Sequence, residues 1–211
     1  EYVGLISDDA EYPLLEGDIG STDGKRFSKK DYKKATNEFI DPRSSAKFAR
    51  LSRDSFFVGA LAPRGRTLLI TLGSELRADD GVGPYVFARV KFSRPDLRLI
   101  DAGTTPENIA QTAIDWKPDK IILIDAANFG GAAGEVRVIP LEAINRVTVL
   151  STHSFPLSVT FSIVKEDTGA ELVIVGVQVR SLDYVEGLSP EVEETASKLA
   201  LYFNNIDKRQ A

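Results

Sequence analysis

The chain has 211 residues, of which 43% are hydrophobic and 27% charged, and its formal net charge is −5. These values are ordinary for a globular domain, and the negative charge argues against a general nucleic-acid-binding surface, which would be basic. The chain contains no cysteine, which excludes disulfides, thiolate nucleophiles and cysteine-ligated metal clusters.

The sequence shows no segment with the pattern of a membrane-spanning helix or a signal peptide. No apolar run approaches the roughly 20 residues of a membrane-spanning helix. Residues 1–17 are acidic and lack the basic region and apolar stretch of a signal peptide. We therefore expect a cytoplasmic protein with neither a membrane nor a nucleic acid as its partner.

The first 65 residues differ in charge pattern from the rest. Residues 1–18 carry six acidic and no basic side chains, whereas residues 25–53 carry ten basic and three acidic ones. Ser28 resembles the first residue of a capping box, and Tyr32, Ala35 and Phe39 have the spacing of one apolar helix face. We predict a partly helical N-terminal extension over 1–65, either a solvated element at the domain edge or a docking arm for a partner.

From residue 66 onward, apolar runs alternate with amphipathic stretches, which predicts one α/β domain over 66–211. The predicted strands are 67–72, 97–100, 120–125, 135–139 and 171–179, and the predicted helices are 83–92, 106–116, 155–166 and 190–203. All the strands except 135–139 are nearly continuous apolar runs, typical of strands covered on both faces. The pattern predicts a three-layer sandwich with a roughly five-stranded twisted sheet flanked by helices.

Two of the helices have clear start signals. Ser154 can cap the third helix, with Pro156 in its first turn, and Ser189 can cap the fourth, with Pro190 in the first position. Acidic residues follow Ser189 near the positive end of the helix dipole.

Acidic residues follow three of the predicted strands, and Asp101, directly after strand 97–100, is one of them. Asp79 and Asp80 lie in a glycine-bounded turn after the first strand, and Asp125 ends the third. Ligands bind at the carboxyl ends of strands in open α/β sheets, so these carboxylates are candidate site residues. The alternatives are that Asp79 and Asp80 only cap a helix and that Asp125 is a structural turn residue.

The only histidine of the chain, His153, precedes the third predicted helix. Two carboxylates and one imidazole suit a divalent transition ion with positions left open for water or substrate. A serine–histidine–aspartate triad would have to use His153 with Ser151 or Ser154. The chain contains neither the HExxH nor the G-x-S-x-G motif that would support a known hydrolase arrangement.

Several segments, taken in order, resemble the nickel–iron hydrogenase maturation proteases. They are LRADDGVGP at 76–84, DAGTTPEN at 101–108, IDA at 124–126, THSFPL at 152–157, KED at 165–167 and GLSPEV at 187–192. The resemblance covers about two-thirds of the chain and implies the sandwich fold of phosphorylases and hydrolases. It departs from the family at Ser74, where Asn is usual, and at Thr71 and Val179, where Gly and Pro are frequent.

The resemblance implies both a function and a site. Members of this family remove the C-terminal extension of the hydrogenase large-subunit precursor after nickel insertion, so the expected partner is that precursor. The family's metal-binding and catalytic trio falls on Asp80, Asp125 and His153, Asp79 is expected to hold the loop, and residues 101–104 to shape the cleft. Nickel borne by the substrate is the expected metal and serves as the recognition element.

Two other functions stay open on sequence grounds. One is a metal-dependent chaperone that binds the precursor without cutting it. The other is a nucleoside phosphorylase-like enzyme, suggested by fold analogy alone, for which Arg77 is the only basic side chain in the first loop.

Overall fold

A computed structural model describes residues 56–147 and 157–208 of the chain. Its strands are β1 (Thr67–Leu72), β2 (Leu97–Gly103), β3 (Lys120–Ala127), β4 (Val136–Val138) and β5 (Glu171–Gln178). Its α-helices are α1 (Phe56–Leu61), α2 (Val82–Arg89), α3 (Ala110–Trp116), α4 (Ile144–Val147), α5 (Leu157–Thr168) and α6 (Pro190–Lys208). Short 3₁₀ turns cover Ala78–Gly81, Pro106–Ile109 and Leu141–Ala143.

The five strands form one mixed sheet in the order β2-β1-β3-β5-β4. The pairs β2–β1, β1–β3 and β3–β5 are parallel, and β4 runs antiparallel to β5 at the edge. The carboxyl ends of β1, β2, β3 and β5 therefore point to the same end of the sheet. This is the end at which ligands bind in open α/β folds.

Helices cover both faces of the sheet, which gives the three layers. On one face, α1, α2 and α6 bury an apolar cluster that includes Leu61, Leu69, Val86 and Phe203. On the other face, α3, α4 and α5 bury a second cluster around Leu123 and Phe161. Burial of such side chains contributes roughly 1.5–3 kcal/mol each, so the two clusters hold the layers together.

The predicted architecture is confirmed: each of the five predicted strands and four predicted helices has its counterpart. One detail is wrong. Strand 97–100 was expected to be covered on both faces, but β2 lies at the sheet edge, where Arg98 and Asp101 are exposed. The predicted helix 106–116 begins as a 3₁₀ turn and becomes α-helical at Ala110. The predicted cap at Ser154 lies outside the described residues.

The end of the predicted N-terminal extension packs against the domain. Helix α1 lies within it, and Ala60 and Leu61 are buried in the cluster shared with α2 and α6. Residues 1–55, with the helical stripe expected at Tyr32, Ala35 and Phe39, lie outside the described residues. Among the described helices, none combines the length and apolar character that crossing a membrane requires.

Candidate active site

Two of the expected site residues meet at the carboxyl end of the sheet. Asp80 lies in the 3₁₀ turn Ala78–Gly81 that follows β1, and Asp125 lies near the end of β3, where it pairs with Gly176 of β5. The turn contacts β3 directly, and both aspartates are fully buried. The fold thus brings together two carboxylates that are 45 residues apart in the chain.

The position of Asp80 depends on the glycine that directly follows β1. Gly73 has φ +126°, and a Cβ atom at this residue would lie 1.8 Å from the main-chain oxygen of Asp80. The backbone can approach this closely only because Gly73 has no side chain. The next residue, Ser74, donates its main-chain N–H to Asp80 Oδ2 at 3.0 Å.

The environment of Asp80 is otherwise poor in partners. Its Oδ1 is buried and accepts no hydrogen bond among the described residues. Burial raises the pKa of Asp80 to about 6, although the nearby Arg77 charge and the Ser74 N–H both act to lower it. An oxygen held in this state is available to a proton or a cation.

The Asp125 carboxylate has even fewer hydrogen bonds than that of Asp80. Both of its carboxylate oxygens are buried and without a hydrogen-bond partner among the described residues. Burial, and after it the neighbouring Asp80 charge, raise the pKa of Asp125 to about 8. The Ala126 N–H lies near enough to lower this pKa in part, but it does not complete a hydrogen bond.

Together, Asp80 and Asp125 present three buried oxygens that no described residue hydrogen-bonds: Asp80 Oδ1, Asp125 Oδ1 and Asp125 Oδ2. Two adjacent buried carboxylates cannot both ionise cheaply, so they either share a proton or hold a cation between them. The same charges disfavour a phosphate ligand, which removes the basis for a phosphorylase-like site at this position.

Asp79 has the opposite environment, although it is the next residue in the chain. Its Oδ2 accepts the main-chain N–H groups of Arg180 at 2.7 Å and Ser181 at 3.0 Å. Its Oδ1 accepts the Ser189 N–H at 2.6 Å, and the Ser189 hydroxyl donates to both oxygens at 2.8 Å. Asp79 therefore anchors the segment 180–189 to the turn that carries Asp80, and the loop-holding role predicted for it agrees with this geometry.

The Ser189 prediction needs correction. We expected this side chain to cap the helix that begins at Pro190, but its hydroxyl is bonded to the Asp79 carboxylate. A cap would require the hydroxyl oxygen to accept an N–H from the first turn of that helix, but the Glu193 N–H bonds to the Ser189 main-chain oxygen at 2.9 Å. The Asp79 contact spans 110 residues and has no local sequence signal.

The backbone before Asp79 is held in an uncommon conformation. Ala78 has φ +45° and is buried, and its N–H donates to the main-chain oxygen of Val185 at 2.7 Å. Non-glycine residues in this region cost roughly 1–3 kcal/mol, and they cluster at functional sites. Surrounding contacts therefore hold the 78–81 turn in the orientation that directs Asp79 and Asp80 to different partners.

Asp101 lies at the carboxyl end of β2, beside the same turn. Its Oδ1 accepts the Thr71 hydroxyl at 2.9 Å and the Gly103 N–H at 3.2 Å. Gly103 in turn accepts the Gly73 N–H at 2.9 Å through its main-chain oxygen. Residues 101–104 thus border the turn that positions Asp80.

Arg77 belongs to the site, although the sequence indicated it only as a possible phosphate ligand. Its guanidinium lies 5.5 Å from the centroid of the Tyr184 ring, and its charge acts on Asp80. Its buried Nε has no hydrogen-bond partner among the described residues. Its place in a glycine-bounded turn, three residues before Asp80, is the signal that could have identified it.

His153 lies outside the described residues. The residues that the structure does describe contain no group of three histidine, cysteine, aspartate or glutamate side chains placed to hold a metal ion. The predicted trio is therefore represented by its two carboxylates. The described chain resumes at Leu157, the first residue of α5, which is buried on the sheet face that also carries Leu123.

Comparisons with known proteins agree with this architecture. A family model described as "Hydrogenase maturation protease" matches residues 86–202, more than half of the chain. The hydrogenase 3 maturation protease of Escherichia coli K12 is 30% identical over 112 residues, which are 53% of this chain and 71% of that protein.

Solved structures show the same fold. The crystal structure of the nickel–iron hydrogenase maturation protease HycI from Thermococcus kodakarensis KOD1 has a TM-score of 0.62 and 32% identity, and the match covers 69% of this chain and 94% of that one. The hydrogenase maturating endopeptidase HybD of E. coli shares the fold at a TM-score of 0.51 and 20% identity, with 64% of this chain and 88% of that one covered. The family match and these levels of similarity lead to one conclusion: the chain belongs to the hydrogenase maturation protease family, the peptidases that process hydrogenases.

Proposed function

We propose that this protein is the endopeptidase that removes the C-terminal extension from a nickel–iron hydrogenase large-subunit precursor after nickel insertion. In this proposal, the nickel carried by the substrate is recognised through binding to Asp80, Asp125 and His153. The observation that supports it most is the pair of buried carboxylates, whose three oxygens at the carboxyl end of the sheet have no hydrogen-bond partner within 56–147 and 157–208.

The electrostatics of the buried Asp80 and Asp125 carboxylates favour binding of a cation that the substrate brings to the site. Burying an unpaired carboxylate is costly, and a bound cation relieves that cost for both groups at once. Beside Asp80 and Asp125, the described residues offer no third metal-ligating side chain, so in this proposal His153 supplies the third donor. A nickel ion already ligated by the substrate needs only the few donors that this site provides.

Chain connectivity is compatible with a role for His153 in the same site. His153 lies four positions before Leu157, and an extended chain spans at most about 14 Å over four residue steps. Helix α5, which begins at Leu157, packs on the sheet face that carries Leu123 of β3. Because alternate residues of a strand point to the same face, Asp125 lies on this face too. An imidazole would add a nitrogen donor suited to nickel.

The two carboxylates also suit acid–base chemistry on a peptide bond. Before substrate nickel arrives, pKa values of about 6 and about 8 leave Asp80 ionised at neutral pH and Asp125 protonated. Binding of the cation favours the ionised form of both carboxylates, so Asp125 then releases its proton, and a carboxylate of the pair can accept a proton from an attacking water and return it to the leaving amine. Nickel in the substrate would supply polarisation of the scissile carbonyl.

The competing function is a chaperone that binds the precursor without cutting it. Incubating the purified protein with the precursor and measuring the precursor's C-terminal mass separates the two. We expect the wild type to remove a C-terminal peptide from the precursor. Asp125→Asn should abolish this cleavage, whereas Asp167→Asn, a matched change at an exposed position of α5, should cleave like the wild type. A stable complex with an intact precursor would establish the chaperone function instead.

A further inference from the structure

Beside the two carboxylates lies a group of exposed apolar side chains. Leu76, Tyr184 and Val185 are 61%, 87% and 55% exposed, respectively. We call these three residues the Tyr184 surface. Single exposed apolar residues need no explanation, but a group displayed next to a site is typical of a surface that a partner covers.

The Tyr184 surface is joined to the site by specific contacts. Val185 accepts the Ala78 N–H at 2.7 Å through its main-chain oxygen, and the Tyr184 ring lies 5.5 Å from the Arg77 guanidinium. Asp79 fixes both ends of the loop that carries Tyr184 and Val185, through the main-chain N–H groups of Arg180 and Ser189. The apolar side chains are therefore presented on a braced loop that is continuous with the turn bearing Asp80.

The charges around the Tyr184 surface indicate what would bind it. Glu75, Asp183 and Glu186 are exposed and lie in the two segments that supply the apolar side chains. Of the basic residues in this region, Arg77 faces the Tyr184 ring and Arg180 is paired with Glu191 at 3.1 Å. An apolar centre with an acidic rim complements a polypeptide that combines apolar and basic side chains.

From this arrangement, we propose that the Tyr184 surface docks an apolar, basic stretch of the large-subunit precursor beside the bond to be cut. This inference rests on the proposed function for the identity of the precursor. Docking here would place substrate next to Asp80 and Asp125, so that binding energy gained away from the reacting atoms positions the scissile bond.

Binding to an immobilised nickel-loaded precursor tests the apolar part of the proposal, with the full-length chain as analyte and cleavage followed in parallel. Val185→Glu and Tyr184→Ala are each expected to weaken binding about tenfold, the effect of losing a central apolar contact. The matched control is Ile163→Glu, at a 50% exposed position of α5, which covers the sheet face opposite to α6 and Leu188 at the end of this loop. It should bind like the wild type.

The role of the acidic rim is tested with two charge-reversal double variants, one in the Tyr184 surface region and one on α5 as its control. The double variant Glu75→Lys/Glu186→Lys should weaken binding and reduce its dependence on salt, because it removes the attraction for basic side chains. Glu166→Lys/Asp167→Lys makes the same charge change on exposed positions of α5 and should leave both properties near those of the wild type. Thermal melting curves for every variant verify that each one is folded.

The outcomes separate the two proposals. Equal binding by Val185→Glu, Tyr184→Ala and Ile163→Glu would overturn the docking surface even if the wild type cleaves the precursor. Weakened binding by the surface variants, with no cleavage by the wild type, would support the docking surface and count against the peptidase function. If Val185→Glu instead converts a dimer of this chain into monomers without changing precursor binding, the surface is a self-association interface and the proposal fails.

Discussion

Asp79 and Asp80 are consecutive residues with opposite hydrogen-bonding environments. The Asp79 carboxylate accepts main-chain N–H groups from Arg180, Ser181 and Ser189, whereas Asp80 Oδ1 accepts none among the described residues. One carboxylate stabilises the fold, and the other is left available at the cost of stability. This division of roles has consequences that can be measured.

Replacing each aspartate by the isosteric asparagine should separate the two roles. Asp79→Asn puts an NH₂ group opposite buried N–H donors, so we expect a loss of about 2–4 kcal/mol in the free energy of unfolding. Asp80→Asn removes a buried charge and keeps an acceptor for Ser74, so we expect a change within about 1 kcal/mol. Urea denaturation of both variants measures the difference, and equal losses would contradict the division of roles.

The stability contributed by Asp125 should depend on pH in a defined direction. Its pKa is raised from 3.8 to about 8 in the folded protein, so between these values the folded state holds a proton that the unfolded state releases. Stability therefore falls as pH rises through this window, and Asp125→Asn abolishes that fall.

The measurable quantity is the stability of Asp125→Asn relative to the wild type. This difference should increase by about 2 kcal/mol or more between pH 5 and pH 8, since each pKa unit corresponds to about 1.4 kcal/mol. Chemical denaturation at the two pH values gives it directly. Parallel stability curves for the two proteins would show that Asp125 has an ordinary pKa.

Gly73, the glycine that follows β1, should tolerate no side chain. In Gly73→Ala, the new Cβ would lie 1.8 Å from the Asp80 main-chain oxygen, so the turn must move and both stability and cleavage should be lost. Gly130→Ala is the matched control, because Gly130 also has positive φ (+73°) but no atom within 4 Å of the added Cβ. It should cost only about 1–2 kcal/mol and leave activity intact, and equal effects at both glycines would refute the role of close packing.

The single histidine should be required for cleavage and the serines beside it should not. We expect His153→Ala to abolish precursor processing while preserving the melting temperature to within a few degrees. Ser151→Ala and Ser154→Ala should remain active, because the proposed chemistry uses no serine nucleophile. Full activity of His153→Ala would reject the trio, and inactivity of either serine variant would revive the triad hypothesis.

The parts of this protein that the sequence predicted are those with local causes. Strands such as Thr67–Leu72 are nearly continuous apolar runs, which is the pattern typical of strands buried on both faces of a parallel sheet. Asp125 was found for the same reason, since a carboxylate that ends such a run is placed at the ligand-binding edge by topology alone.

What the sequence did not predict depends on contacts between distant segments. The bond from Ser189 to Asp79 crosses 110 residues, and the local Ser-Pro-Glu pattern is equally compatible with a helix cap. Likewise, the edge position of β2 depends on strand order, to which its Leu and Ile residues give no clue. The role of Arg77 depends on Tyr184, which is brought near it only by the anchored 180–189 segment.

The central claim is that this peptidase acts only on a precursor that carries nickel. Its most direct test is to mix the purified protein with nickel-loaded and nickel-free forms of the large-subunit precursor and to compare their C-terminal masses. The account predicts loss of a C-terminal peptide from the loaded form alone, with no loss when Asp80, Asp125 or His153 is replaced. Equal shortening of both forms would contradict the claim, because the paired carboxylates would then have no part in reading the metal.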